Sequence, residues 1–189
     1  MQKNTNVIIL SGLPGTGTST LMDKCAELLN RHKKSAGGKV RDEQASTGGL
    51  THAYELAATA DPTIDHDLDG EMREWVEANQ PCVVDWRLGR KFYPKGLQVL
   101  LTCEDDARFS RLAIREGMSV EEAMRKHIPR AQNHSERFSS TYGIADLYDP
   151  NSFDLVIDTT HIGIDEEIRL LREAIEKFAK LEKPAHIEA

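Results

Sequence analysis

The residues with the clearest chemical meaning lie near the start of the chain, in Gly12-Leu13-Pro14-Gly15-Thr16-Gly17-Thr18-Ser19-Thr20. Up to Ser19 this run matches the pattern G-x-x-x-x-G-K-[ST] everywhere except at the lysine, where Thr18 stands. Gly12, Gly15 and Gly17 let the backbone curl so that successive N–H groups face an anion, and the start of a following helix adds a favourable field. The chemistry implied is the binding of a nucleoside triphosphate's phosphates by Gly12, Gly15, Thr16, Gly17, Thr18, Ser19 and Thr20. Ser19 supplies a hydroxyl ligand for Mg²⁺. A glycine-rich run alone is often a tight turn. Here it follows the short apolar run Val7-Ile8-Ile9-Leu10 and opens a segment with Leu21, Cys25, Leu28 and Leu29 at helical spacing, which is the strand–loop–helix context the pattern requires.

Without the lysine, positive charge for the β and γ phosphates must come from elsewhere, and arginine is the residue best shaped for phosphate. Arg108, Arg111 and Arg115 fall at i, i+3 and i+7 of one expected helix, and Arg130 and Arg137 are seven apart on the next. Arg111, Arg130 and Arg137 are therefore candidates for stabilising a transferring phosphoryl group. Asp85, at the end of an apolar strand, is a candidate for placing a metal through water or positioning an acceptor; simple pairing with Arg87 is the alternative.

The elements that must position these groups read as an α/β fold, a parallel sheet flanked by helices. Strands are expected over Asn6–Ser11, Pro81–Trp86, Leu97–Cys103 and Phe153–Thr159. Helices are expected over Thr18–His32, Gly49–Ala60, Pro62–Ala78 and Asp165–Leu181. In Pro62–Ala78 the stripe Ile64, Leu68, Met72 and Trp75 should face the core, leaving Asp61, Asp65 and Asp69 as a solvated acidic face in preference to a site for a base's amino group. The polar stretch from about 105 to 142 reads as a helical lid, with a capping box at Ser119–Glu122 and a kink or split at Pro129. His127 and His134 lack a third metal ligand at a suitable spacing and read as solvated lid residues. Residues 1–189 make one domain.

Composition narrows the partners. Against 24 basic residues stand 31 acidic ones, a formal charge of −7 that disfavours a general nucleic-acid binder and points to small phosphorylated ligands. The longest aliphatic run, Val7 to Leu10, is too short to span a membrane, so the expectation is a cytoplasmic protein with no membrane partner. Cys25, Cys82 and Cys103 read as buried reduced thiols. Oligomeric state is not legible.

Three segments in order carry a family resemblance: GLPGTGTST at 12–20, SAGGKVR at 35–41 and VVDWRLG at 83–89, followed by the arginine-rich stretch ending in Tyr142-Gly143-Ile144. Together they resemble cytidylate kinases of the short, archaeal-like branch, which have a threonine in place of the loop lysine. The resemblance covers Val7 to about Ile175. It implies the P-loop NTPase fold of nucleoside-monophosphate kinases, with ATP and Mg²⁺ as donor and CMP or dCMP as acceptor. Carried over by position, it implies that Ser35 and Arg41 meet the acceptor's phosphate and that Asp85 and Arg87 lie near the acceptor. Arg130 and Arg137 would close on the transferring group. The chain departs from the family pattern at Gly38-Lys39, in the basic continuation Gly89-Arg90-Lys91-Phe92, and at Ala145. A P-loop kinase for another small molecule, or an ATP-binding regulatory protein without turnover, would share the donor loop and differ only in the acceptor segments.

Overall fold

Continuous apolar residues suit a strand buried on both faces, and Val7 to Leu10 occupy the middle of such a strand, β1 (Asn4–Gly12). The computed structural model describes residues 3–37 and 63–181. Arg41, Asp61, the Gly38-Lys39 departure and the helix expected over Gly49–Ala60 lie outside these residues. The other strands are β2 (His32–Ser35), β3 (Cys82–Asp85), β4 (Gly96–Thr102) and β5 (Leu155–Asp158). They form a parallel sheet in the order β2-β3-β1-β4-β5. The sequence pointed to four strands; β2 was not among them. Its His-Lys-Lys-Ser is polar because β2 is an edge strand, where an apolar run is not required.

Alternation along β1 divides the core. Ile8 and Leu10 pack with Leu21, Met22 and Cys25 of α1 (Thr18–Leu29) and with Ile168 and Leu171 of α6 (Ile164–Leu181). Val7 and Ile9 face the other way, against Met72 and Val76 of α2 (Thr63–Ala78) and against Trp86. A short helix, α3 (Gly89–Phe92), follows β3. The thiols of Cys25 and Cys82 are buried, and that burial pushes both up to about 11, so they stay neutral. Cys103 is half-buried.

The arginine-rich stretch forms α4 (Asp105–Glu116) and α5 (Val120–Tyr142). The division falls at Gly117, which adopts φ 66° as the C-cap of α4, and not at Pro129, which sits inside a continuous α5. The capping box forms as its spacing indicates: Ser119 Oγ accepts from the Glu122 N–H, and Glu122 accepts from the Ser119 N–H. Phe109, Leu112 and Ala113 of α4 pack against Ala123 of α5, giving the pair its own small core. Among the described residues no helix is long and apolar enough to cross a membrane.

The strand order sets where a ligand can bind. From β1 the chain pairs with β3 on one side and β4 on the other, so the loops leaving the C-terminal ends of β1 and β3 diverge and open a crevice. Gly12 to Gly17 and Asp85 to Leu88 meet there.

Candidate active site

The glycine loop takes the conformation that its composition allows. Gly15 and Gly17 have φ of 92° and 102°, and Gly17 is the N-cap of α1. Thr16 is turned inward: its N–H and its hydroxyl both donate to the Leu13 carbonyl, at 3.2 and 2.8 Å, and its own carbonyl accepts from Thr159 Oγ1 at 2.9 Å. Thr16 therefore shapes the loop and does not line the crevice, whereas Gly12, Gly15, Gly17, Thr18, Ser19 and Thr20 do. A Cβ on Gly15 would lie 2.7 Å from both Cγ and the carbonyl oxygen of Arg108, which is itself buried and donates to the Pro14 carbonyl. Gly15→Ala is expected to lose roughly 1–3 kcal/mol of stability and to weaken ATP binding. Thermal melts and an ATP titration check this.

Asp85 ends β3 directly opposite this loop. Its Oδ2 accepts from Thr18 Oγ1 at 3.2 Å and from Ser19 Oγ at 3.3 Å. Thr18, in the lysine's position, is thus tied to the carboxylate. Arg87, two residues on, donates to Nδ1 of His134 at 2.7 Å; a guanidinium only donates, so His134 presents an unprotonated Nδ1. Ser35 ends β2 in register with Asp85, and the next residues, Ala36 and Gly37, line the crevice.

The crevice is a cavity of about 360 Å³. Besides the loop and Asp85–Leu88, it is lined by Arg111 and Arg115 of α4 and by Arg130 and Arg137 of α5. Arg111 is held by Thr159, donating to its carbonyl at 2.6 Å and to its hydroxyl at 3.0 Å. Arg137 is buried and its Nε lies 2.8 Å from Asp65 Oδ2. These guanidinium groups put positive charge on the cavity wall, where the loop itself carries no lysine. The basic residues Arg90 and Lys91, a departure from the family pattern, do not line the cavity. They donate to the Asp146 and Tyr142 carbonyls, so that Lys91 ties the end of α5, and Arg90 the segment after it, to α3.

Two sequence readings are corrected here. Asp65 and Asp69 are not a solvated face: they are 5% and 4% exposed and both line the cavity. With Met72 and Val76 they recur at helical spacing, so the inward face of α2 is Asp65-Asp69-Met72-Val76, and Leu68 and Trp75 of the expected stripe are only half-buried. Asp69 accepts from Trp86 Nε1 at 2.5 Å and from the Tyr142 hydroxyl at 3.5 Å. His127 and His134 are likewise buried. His127 Nε2 contacts Glu116 at 3.1 Å. Burial pulls the His127 imidazole below its usual range, opposed by Glu116. Burial pushes Glu116 up, but the hydrogen bonds from Lys126 and Arg115 and the nearby His127 outweigh it and hold the carboxyl at about 2. This cluster bolts the start of α5 to the end of α4. None of these roles was visible from charge alone, because a helix face dense in acids reads as solvated until its partner is known.

Burial raises Asp69 from 3.8 to about 6, with the Trp86 hydrogen bond working against the rise. The folded protein then holds this proton more tightly than the unfolded chain. The resulting stabilisation is complete below about pH 4 and is lost as pH rises through about 6. Asp69→Asn keeps an acceptor for Trp86 and should remove this pH dependence, worth on the order of 3 kcal/mol. Denaturant melts of both proteins across that range check it.

Residues 8–137 match the family described as AAA domain. A cytidylate kinase from Methanopyrus kandleri is 32% identical over 190 residues, an alignment covering 94% of this chain and 97% of that protein. The chain belongs to the cytidylate kinase family. A second cytidylate kinase, from Pyrococcus furiosus, is 34% identical over 179 residues, covering 93% of this chain and 91% of the other. The fold is also that of shikimate kinase from Acinetobacter baumannii in complex with shikimate, with a TM-score of 0.56 and coverage of 96% and 97% at 14% identity.

As a member of the cytidylate kinase family, the protein is a nucleoside-monophosphate kinase-like phosphotransferase that uses ATP with Mg²⁺. The residues fit that metal. Ser19 and Thr18 hydroxyls and one carboxylate oxygen of Asp85 converge as hard oxygen donors, and the described residues contain no cluster of three or more His, Cys, Asp or Glu. Mg²⁺ needs few protein ligands because it keeps its waters and the nucleotide's phosphates. When bound, it neutralises charge across the donor phosphate oxygens. Phosphoryl transfer asks of a protein that it seat the phosphates, set the two substrates in line and surround the moving group with cations; the cavity brings a glycine loop and four arginines of α4 and α5 together.

Proposed function

We propose that the acceptor is CMP or dCMP, and that the α4–α5 region closes as a lid over a single kinase domain during transfer. The observation that carries this reading is the meeting, in one cavity, of the phosphate loop, the Asp85-Trp86-Arg87-Leu88 segment and the arginines of α4 and α5. Donor and acceptor phosphates can approach only where these three parts meet, and water must be kept out for transfer to outrun hydrolysis. Arg87 serves the acceptor's phosphate, backed by His134. Arg111, Arg130 and Arg137 serve the transferring group and its flanking phosphates. Ser35 and the neighbouring Ala36 and Gly37 form the acceptor-side rim. The likeness to cytidylate kinases along almost the whole chain supports the choice of base.

The test is ADP release from ATP with Mg²⁺ in the presence of CMP, dCMP, UMP, AMP or GMP, and with no acceptor. Rapid release with CMP or dCMP alone is the expected result. Release stimulated by another acceptor would reassign the pocket, and ATP binding with no stimulated turnover would make the protein a nucleotide-dependent regulator.

A further inference from the structure

A buried hydroxyl that does not line the cavity ties the phosphate loop to one of the arginines that do. Thr159 follows β5 directly and is fully buried, a place where a hydroxyl is costly unless it is hydrogen-bonded. It accepts from Arg111 Nη1 at 3.0 Å and donates to the Thr16 carbonyl at 2.9 Å. The Thr102 carbonyl, 3.1 Å away, already accepts from the Thr159 N–H at 2.9 Å, so the hydroxyl's one proton serves the nearer Thr16. Thr16 in turn donates twice to the Leu13 carbonyl. The bonds thus run in series from Arg111 to Thr159 to Thr16 to Leu13, from α4 past the end of β4 into the interior of the loop, and neighbours in such a series polarise one another. Thr159 also meets the guanidinium a second time, its carbonyl accepting from Arg111 Nη2 at 2.6 Å.

The partners of Arg111 differ from those of its neighbours on the cavity wall. Arg115 meets Glu116 at 2.8 Å and Arg137 meets Asp65 at 2.8 Å, so each shares its charge with a carboxylate. Among the described residues Arg111 is held by the Thr159 hydroxyl and carbonyl and by Cys103 Sγ at 3.4 Å, and by no carboxylate. The carboxyls of Asp158 and Glu167 feel its charge without contacting it. Two contacts from one residue orient the planar guanidinium and leave its charge unneutralised. We propose that Thr159 is a positioning residue for phosphoryl transfer: its hydroxyl sets the Arg111 guanidinium against the phosphate loop, so that loop and cation meet the donor phosphates in one fixed geometry. This role rests on the reading of Arg111 as a cation that serves the transferring group. A group of that kind displaced by about 1 Å can cost about a hundredfold in rate.

The experiment measures kcat and the KM for ATP, with CMP or whichever acceptor the ADP-release assay selects, in the unmodified protein, Thr159→Val, Thr159→Ser, Arg111→Ala and the double variant Thr159→Val with Arg111→Ala. Valine keeps the buried shape and removes the hydroxyl; serine keeps the hydroxyl. Thr159→Val should lower kcat about tenfold with the KM for ATP within about twofold, and Thr159→Ser should retain most of the rate. In the Arg111→Ala background, Thr159→Val should cost nothing further, because the hydroxyl acts through the guanidinium. A hydroxyl that merely braces the fold would lower kcat by the same factor in both backgrounds, and that additivity overturns the proposal, as does an unchanged kcat in Thr159→Val. Should the valine variant not fold, Arg111→Lys decides. Lysine keeps the charge but lacks the planar fork that meets Thr159 twice, so kcat should fall nearly as far as in Arg111→Ala, and near-normal turnover overturns the proposal. Normal turnover in Arg111→Ala, or no turnover with any acceptor, removes the reading of Arg111 and this inference with it; a slow Arg111→Ala beside a normal Thr159→Val removes the inference alone.

Discussion

Replacing Arg130 with alanine is expected to lower kcat about a thousandfold while ATP affinity changes little, the pattern of a cation engaged chiefly in the transition state. Arg130 lines the cavity from the middle of α5, and the loop it faces carries threonine where a lysine would bring fixed charge. On the proposed reading, guanidinium groups from α4 and α5 meet the developing charge on the transferring phosphoryl. Arg130 tests this more cleanly than Arg137, because truncating Arg137 would take an ion-pair partner from the buried carboxylate of Asp65 and destabilise the fold for an unrelated reason. Single-turnover rates and an ATP binding isotherm on Arg130→Ala separate the effects. Equal losses in rate and affinity would make Arg130 a plain binding residue.

Asp85→Asn is expected to lower kcat/KM about 10- to 100-fold and to raise the Mg²⁺ concentration needed for half-maximal rate. The carboxamide oxygen can still accept from Thr18 and Ser19, so the loop should keep its shape while the charge beside Ser19, the proposed metal ligand, is lost. A titration of rate against Mg²⁺ is the measurement. An unchanged Mg²⁺ requirement would leave Asp85 as a strut for the loop.

The readable parts of the chain were those in which local chemistry and local structure coincide. The phosphate loop needs glycines at set positions between a strand and a helix, all within one stretch of sequence, and positive φ at Gly15 and Gly17 follows from that composition. β1, β3, β4 and β5 announced themselves as aliphatic runs, and the capping box at Ser119 and Glu122 as a spacing. β2 did not, since an edge strand of polar residues has no apolar run to betray it. Of the kink or split expected at Pro129, the split falls instead at Gly117, which ends α4 through its left-handed backbone.

The polar wall of the cavity was harder for a related reason. Asp65, Asp69, His127 and His134 are polar groups whose surroundings come from distant segments: Arg137 for Asp65, Trp86 and Tyr142 for Asp69, Glu116 for His127 and Arg87 for His134. Nothing within a few residues of each marks it as buried. From the linear chain alone followed the α/β class, the phosphate loop and the demand for arginines, because each is written in consecutive residues or in a simple period. Tertiary packing alone decided which arginines line the cavity, that Thr18 and Ser19 share Asp85, and that Asp65 and Asp69 of α2 face inward, because burial and pairing are properties of two segments brought together and of neither by itself.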